Sequence, residues 1–140
     1  MISSITPVYV DNIPDHLEEG VLYICEGYKT VVHKCCCGCG EEVVTPLSPA
    51  DWSLKITGGK ASLKPSIGNW DFDCRSHYWI TRNQVQQSYD MTEREISYMK
   101  VKDKADKNAY VERVNRERDF PPKSGSLLKH LWAKLTHWVK

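Results

Sequence analysis

The first 90 residues contain short apolar runs separated by turn residues, and this pattern predicts a series of strands. Val21–Cys25 and Thr30–His33 are rich in β-branched and aromatic side chains, and Trp52–Thr57 alternates apolar with polar positions. Further strands are predicted over residues 7–13, 42–47, 61–64, 78–81 and 84–88, with a short helical turn over 14–20. Gly58-Gly59 and Arg82-Asn83 predict tight turns. These elements together predict a small, mostly antiparallel β body.

The pattern changes after residue 90, where charged residues replace the alternating runs. Thr92 and Glu95 form a capping box, because the hydroxyl and the carboxylate can satisfy free amides at the start of a helix. Residues 92–118 predict one or two solvated helices, and a linker is predicted over 120–125. Leucine and tryptophan side chains then fall on one face of a final helix predicted over 127–139.

Charge also divides the 140-residue chain into two regions. Residues 1–90 carry 7 lysines and arginines against 11 acidic residues, whereas residues 91–140 carry 12 against 7. We therefore predict an α+β protein with a β-rich core over 1–90 and a basic helical extension over 91–140. Helices are expected only in the C-terminal third.

Net charge and the lengths of apolar segments argue against several functions. The formal net charge of +1 gives no indication of nucleic-acid binding. No apolar stretch approaches the roughly 18 residues that a membrane span needs. The N-terminus lacks the basic start and apolar run of a signal peptide, so a cytoplasmic location is predicted. In a reducing compartment, the six cysteines indicate metal binding or catalysis rather than disulfides.

Alternating cysteines at positions 35, 37 and 39 predict a structural Zn²⁺ site, because soft thiolates close together suit tetrahedral zinc. The fourth ligand must come from elsewhere, with Cys74 the first choice and His33 the second. Cys36 would point away from the alternating set, and Cys25 lies in an apolar strand where a buried free thiol is common. The alternative is a group of reduced structural cysteines near a turn.

Ser66 and His77 are the candidate nucleophile and base. Ser66 lies in a predicted Pro-Ser-Ile-Gly turn, and His77 opens a strand. A serine needs a base to take its proton, and histidine is the usual one because its pKa lies near neutrality. No aspartate has a privileged spacing for orienting His77; those at positions 51, 71 and 73 are available. The alternative is a turn serine beside a packed histidine.

Three segments carry a family resemblance: Cys35–Leu47, Ser62–Trp70 and Cys74–Ile80. Together they resemble a family of small bacterial serine peptidases encoded in ubiquitination-like (Bub) operons, beside E1-like, E2-like and ubiquitin-like proteins. The resemblance covers roughly residues 7–90 and leaves the basic extension outside. Cys36 stands where relatives are expected to carry proline, which fits its absence from the ligand set.

The resemblance implies a Ser–His dyad formed by Ser66 and His77. The expected substrate is the ubiquitin-like protein, which the enzyme would process or deconjugate. E1-like and E2-like operon products are the further partners it implies, and a link to phage defence follows from the operon alone. The expected chemistry is acyl transfer, with amides around Gly68-Asn69 stabilising the oxyanion.

Three other functions remain open from the residues themselves. A non-catalytic zinc module could scaffold a conjugation complex. A zinc hydrolase would place His77 or His33 on the metal, and a cysteine protease would pair Cys74 with His77. The final helix could pack on the body or on a second copy, giving an oligomer, or could dock on a membrane surface or partner.

Overall fold

The structure is a computed structural model that describes residues 1–119. Eight strands precede one long helix in the described chain. The strands are β1 (Thr6–Tyr9), β2 (Val21–Cys25), β3 (Thr30–Lys34), β4 (Glu42–Pro46), β5 (Ser53–Thr57), β6 (Lys60–Gly68), β7 (His77–Thr81) and β8 (Gln84–Gln87). A short 3₁₀ helix, Glu26–Tyr28, joins β2 to β3, and α1 runs over Glu93–Asp119.

The strands form two four-stranded sheets, ordered β1-β2-β3-β4 and β5-β6-β7-β8. Only the β1–β2 pair among these is parallel, and the remaining neighbours are antiparallel. Gly58 and Gly59 both adopt positive φ in the turn between β5 and β6, as the predicted hairpin requires. The prediction of an α+β fold with a mostly antiparallel β body is confirmed.

The core lies between the two sheets, because each contributes one apolar face to a single buried cluster. Leu22, Ile24 and Val31 come from the first sheet, and Leu63 and Ile80 from the second. Alternate side chains of a strand point to opposite faces. Residues with the opposite parity in β6 and β7 therefore lie on the outer face of the second sheet.

The first residues of the chain connect the two sheets through main-chain hydrogen bonds. The Ile2 amide donates to the carbonyl of Cys36, after β3, and the Ile5 amide donates to the carbonyl of Asn83, beside β8. The Val85 amide donates in turn to the carbonyl of Ser3. The N-terminal segment thus closes one side of the core.

Two local predictions are wrong. Residues 14–20 form bends and a turn rather than a helical turn. A seven-residue segment has too few internal hydrogen bonds to offset helix nucleation without strong packing. The other error concerns β6, which was predicted to end at residue 64 with a turn over Pro65–Gly68. It continues to Gly68, because pairing with β7 holds these residues in the sheet.

The capping box at the start of α1 is present. The Thr92 amide donates to Glu95 Oε2 over 2.7 Å, and the Glu95 amide donates to Thr92 Oγ1 over 3.2 Å. The charged segment forms one helix over its described length. No helix within residues 1–119 is long and apolar enough to span a membrane.

Contacts divide the chain into one unit, Met1–Val101, that holds both sheets, and a second unit that begins at Lys102. The predicted division after residue 90 stays a prediction. The predicted linker over 120–125 and the predicted helix over 127–139 lie outside the described residues.

Candidate active site and cysteine cluster

Ser66 lies on the outer face of the second sheet, at an irregularity in the pairing of β6 with β7. Leu63 pairs with Ile80 and Ile67 pairs with Tyr78, so three residues of β6 stand opposite one residue of β7. This bulge contains a cis peptide bond between Lys64 and Pro65. Bulges locally re-aim side chains, and the candidate nucleophile Ser66 is the last residue of this one.

The structure brings Ser66 and His77 into hydrogen-bonding contact. Ser66 Oγ lies 2.8 Å from His77 Nε2, although the residues are 11 positions apart. Both side chains are half-buried. Because His77 pairs with Gly68, two residues beyond Ser66, the contact runs diagonally across neighbouring strands.

The other nitrogen of His77 determines the direction of this hydrogen bond. Nδ1 lies 3.1 Å from the main-chain oxygen of Tyr89. A carbonyl can only accept, so Nδ1 carries the proton and donates it. In the neutral ring, Nε2 is then the acceptor, and the Ser66 hydroxyl donates to it. This is the tautomer that a general base for Ser66 needs.

Two aromatic rings contact the His77 imidazole. Trp70 meets it edge-on with ring centroids 4.9 Å apart, and Tyr89 does so at 5.7 Å. The Trp70 indole lies directly over Gly68, where an added Cβ would overlap Cε2 of the indole. Gly68 is therefore needed for this placement of Trp70, rather than for an unusual backbone angle.

Two of the three aspartates considered for orienting His77 have other partners. Asp51 accepts a hydrogen bond from Ser48, and Asp71 pairs with Lys100 over 2.8 Å. The group that orients His77 is the Tyr89 carbonyl. Sequence reasoning missed it because every residue has a carbonyl, so only the path of the chain after β8 distinguishes this one.

The structure also brings together the four cysteines predicted to hold zinc. The sulfurs of Cys35, Cys37, Cys39 and Cys74 all lie within 4.8 Å of one another. The sulfur of Cys35 is 3.4 Å from that of Cys37 and 3.8 Å from that of Cys74. Four sulfurs bound tetrahedrally at about 2.3 Å would lie about 3.8 Å apart. The donor set therefore fits a tetrahedral metal ion.

The cysteine loop is a turn and not the extended segment assumed from the alternation. The Gly38 amide donates to the Cys35 carbonyl, and Gly38 adopts a φ of 93°. The turn lets three sulfurs from five consecutive residues converge on one point, and glycine alone adopts this backbone angle without strain.

Hydrogen bonds around the cluster favour a thiolate at Cys74. Burial raises the pKa of its thiol, but hydrogen bonds from Ser76, Cys37 and Cys39 outweigh burial and lower the pKa to about 7. Burial, followed by hydrogen bonding with its neighbours, raises the pKa of Cys37. Metal binding at the cluster would release the remaining thiol protons.

Ser76 and Asn69 form a polar layer behind the cluster that sequence reasoning did not identify. Ser76 Oγ lies 3.0 Å from the Cys35 sulfur, and Asn69 Nδ2 donates to Ser76 Oγ over 2.9 Å. The Asn69 amide also donates to the Ser76 carbonyl over 2.8 Å. Both residues are buried, so this layer fixes the chain immediately before His77.

Cys25, Cys36 and His33 were not first-choice metal ligands, and the structure places them outside the four-cysteine group. His33 is fully buried, with Nε2 2.7 Å from the Tyr78 hydroxyl, and burial lowers its pKa to about 4. Cys25 donates to the Asp11 carbonyl. Cys36 is buried in the core, and neither it nor His33 belongs to the metal-binding group found among residues 1–119.

Comparison with protein-family models identifies a family that this chain matches. A family described as bacterial ubiquitination-like system serine protease (BubE) matches residues 9–88. The matched segment contains β2 to β8, the cysteine cluster, Ser66 and His77. Comparison with curated proteins and with solved structures finds no match.

Proposed function

We propose that Ser66 and His77 are the catalytic dyad of this chain, which belongs to the family of bacterial ubiquitination-like system serine proteases (BubE). The observation that carries the proposal is the 2.8 Å contact between Ser66 Oγ and His77 Nε2. The Tyr89 carbonyl supports it, because it leaves Nε2 as the proton acceptor.

The proposed reaction is acyl transfer from a peptide or isopeptide bond. Nε2 of His77 takes the Ser66 proton as Oγ attacks the carbonyl carbon. The resulting imidazolium gives that proton to the leaving nitrogen, and an acyl-enzyme remains. Water then attacks the ester with His77 again as base, which releases the acid and restores Ser66. The Tyr89 carbonyl holds the ring in place and stabilises the charged imidazolium.

Gly68 is the better of the two amides expected to stabilise the oxyanion. The Asn69 amide already donates to the Ser76 carbonyl. Pairs along an antiparallel ladder alternate between hydrogen-bonded and non-hydrogen-bonded. Since the Asn69–Ser76 pair is bonded, the Gly68–His77 pair is the non-bonded type, and the Gly68 amide points away from β7. It therefore remains available to a substrate oxygen.

The proposed substrate is the ubiquitin-like protein of the same system, cleaved at its C-terminal end. Maturation of a precursor and release from a conjugate would both proceed by attack of Ser66 on the C-terminal carbonyl of the ubiquitin-like protein. E1-like and E2-like proteins of the system are the proposed further partners. The proposed location is the cytoplasm, and the proposed pathway is linked to phage defence.

A Zn²⁺ ion held by Cys35, Cys37, Cys39 and Cys74 is proposed to be structural. Four thiolates leave no position for a water ligand, so such an ion takes no part in the cleavage. Its effect on the dyad is positional, because Cys74 lies in the loop that leads into β7, three residues before His77. Both ring nitrogens of His77 are already hydrogen-bonded, which argues against a zinc hydrolase with His77 on the metal.

The direct test compares Ser66→Ala with wild type in cleavage of the precursor of the ubiquitin-like protein. We expect the rate to fall on the order of 10³-fold or more, because removal of a nucleophile removes covalent catalysis. Ser62→Ala is the matched control, because Ser62 lies on the same face of β6. This variant should cleave the precursor at the wild-type rate. Undiminished cleavage by Ser66→Ala would refute the dyad.

A non-catalytic zinc scaffold for the conjugation complex is the second candidate, favoured by the four convergent sulfurs. It predicts that Ser66→Ala retains all biological activity, whereas substitution of a cluster cysteine removes it. A cysteine protease with Cys74 is less favoured, because Cys74 lies in the metal-binding group and His77 Nε2 contacts Ser66 instead.

A further inference from the structure

We infer that the substrate binds as an added β-strand along the free edge of β6, at residues 65–68, with its scissile carbonyl beside Ser66. The inference rests on the proposed function and adds the conformation of the substrate that the site accepts. That substrate is an extended polypeptide segment, recognised through its backbone amides and carbonyls, rather than a folded surface or a small molecule.

The edge exists because β5 is shorter than β6. Pairing between them ends where Ser53 meets Lys64, but β6 continues to Gly68. The chain before β5 turns away from β6, since the Trp52 amide donates to the carbonyl of Pro46 in the first sheet. Residues 65–68 are therefore paired with β7 on one side, and no strand within residues 1–119 pairs with their other side.

The hydrogen-bonding groups of this edge point toward the open side. The Asn69 amide bonds the Ser76 carbonyl, so Asn69 and Ile67 face β7, and Gly68 between them faces outward. The Ser66 carbonyl points outward as well, because it shares a peptide plane with the Ile67 amide and faces the opposite way. An incoming strand would thus find a donor at Gly68 and acceptors at Ser66 and Gly68, in the same segment that carries the nucleophile.

A cleft of about 440 Å³ lies beside this edge and supplies a place for a substrate side chain. Pro49, Ser53, Pro65 and Trp79 are among its lining residues. Ser53 begins β5 and Pro65 precedes the nucleophile, so the cleft spans the point where β5 stops pairing. Trp79 is 38% exposed and lies on the same outer face as His77. An added strand directs alternate side chains to this face, and an apolar one would cover the indole.

The nucleophile Ser66 and the open edge of β6 belong to the same segment, so binding of a substrate strand would also position it for cleavage. A segment paired with residues 66 and 68 lies one strand spacing, about 4.8 Å, from β6. Side chains of β6 on the outer face then reach over its backbone. A carbonyl of that segment accepting a bond from an outward amide of β6 lies within reach of Ser66 Oγ and is polarised by the same bond.

The test first screens a positional library of hexapeptides that carry a C-terminal aminomethylcoumarin. The peptide that the wild-type protein cleaves fastest is then selected. Each of its amides is then N-methylated singly. We expect kcat/KM to fall about tenfold or more at alternate positions, with smaller effects between them, because only every second amide faces the edge. Amide hydrogen exchange of the Ser66→Ala variant should slow at Gly68 when the unmodified peptide is bound, with Ile67, whose amide faces β7, as the internal control.

Hydrolysis of p-nitrophenyl acetate tests the dyad independently of the edge, because this ester is too small to pair with a strand. If neither the ester nor any peptide is hydrolysed in a Ser66-dependent manner, the dyad itself fails and the edge inference fails with it. Ser66-dependent ester hydrolysis overturns only the edge inference in two cases: no peptide of the library is cleaved, or N-methylation and exchange show no alternation.

Discussion

The cysteine cluster and the Ser66–His77 pair lie on the same short stretch of chain but hold together in different ways. Three of the four sulfurs come from one five-residue turn, and each supplies the same kind of group. The dyad joins two different side chains on separate strands and depends on a main-chain carbonyl 12 residues further on. The cluster is therefore built mostly from one local turn, whereas the Ser66–His77 pair exists only because the fold brings distant residues together.

This difference predicts that the two regions fail separately. Loss of the cluster should disturb the chain between Asn69 and His77, and so affect both stability and activity. Loss of the dyad should affect activity alone, because both of its side chains lie at the surface of a sheet whose core is elsewhere.

The largest effect is expected for Cys37→Ser. Removal of one of four thiolates should abolish metal binding and lower the free energy of unfolding by several kcal/mol, because metal binding is coupled to folding. The measurements are metal content by mass spectrometry and thermal unfolding.

Cys36→Ala is the matched control for this variant, since Cys36 is adjacent but outside the metal-binding group. It should retain the metal and lose about 1 kcal/mol through its smaller buried side chain. If Cys37→Ser keeps both its metal and its stability, the cluster is not a metal site. The proposed contrast between a stabilising cluster and a purely catalytic pair would then be wrong.

The next largest effect is expected for Gly68→Ala. The new methyl group would overlap the Trp70 indole, which must then move off His77. We expect kcat for precursor cleavage to fall about 10- to 100-fold, because small displacements of a base are costly. Metal content should be unchanged.

Gly27→Ala is the control for Gly68→Ala, because an added Cβ at Gly27 meets no atom within 4 Å. It should cleave at the wild-type rate. Normal cleavage by Gly68→Ala would show that Trp70 does not position His77, and the dyad would then depend on fewer contacts than the structure indicates.

The pattern of residues allowed more of the cluster to be predicted than of the dyad. Spacing alone identified three sulfurs, and Cys74 was the first choice for the fourth. It did not predict the turn at Gly38, whose φ of 93° depends on the path of the chain. Most strands were predictable because burial of one face imposes alternation.

The outer face of β6 was harder to predict, because it depends on pairing between distant residues. Residues 65–68 contain proline and glycine, which favour a turn locally, yet β7 holds them in a sheet. Tertiary pairing here overrides local preference. The Tyr89 carbonyl has no sequence signal, so an orienting group for His77 was sought among aspartates and not found there.

A smaller effect is expected for Tyr78→Phe, which tests whether the two regions communicate through the core. Tyr78 follows His77 in β7, and its hydroxyl contacts His33 Nε2 and the Cys36 amide. Removal of the hydroxyl leaves these buried groups unpaired, so the free energy of unfolding should fall by about 1–3 kcal/mol. Metal content and kcat should stay at wild-type values. A fall in kcat without a loss of stability would show that the core couples to the dyad.

The smallest effect is expected at the start of α1, where Glu95 caps the helix and belongs to neither region. Hydrogen bonds from the Thr92 amide and then the Thr92 hydroxyl hold the pKa of Glu95 below its ordinary value of 4.5. A lowered folded-state pKa means that the capping contribution is present above pH 4.5 and is lost as the pH falls through the lower folded value.

We therefore expect the Thr92 amide resonance of wild type to titrate below pH 4.5, with a small loss of helical circular dichroism. Glu95→Gln keeps an acceptor for the Thr92 amide but no titrating charge, so its Thr92 resonance should not follow this curve. Acid would also release a metal ion held by the cluster in both proteins, so the difference between the two curves isolates the cap. A Thr92 shift that titrates identically in Glu95→Gln would assign the change to metal release. The cluster would then influence the chain well beyond His77, and its separation from the rest of the protein would be weaker than the contacts indicate.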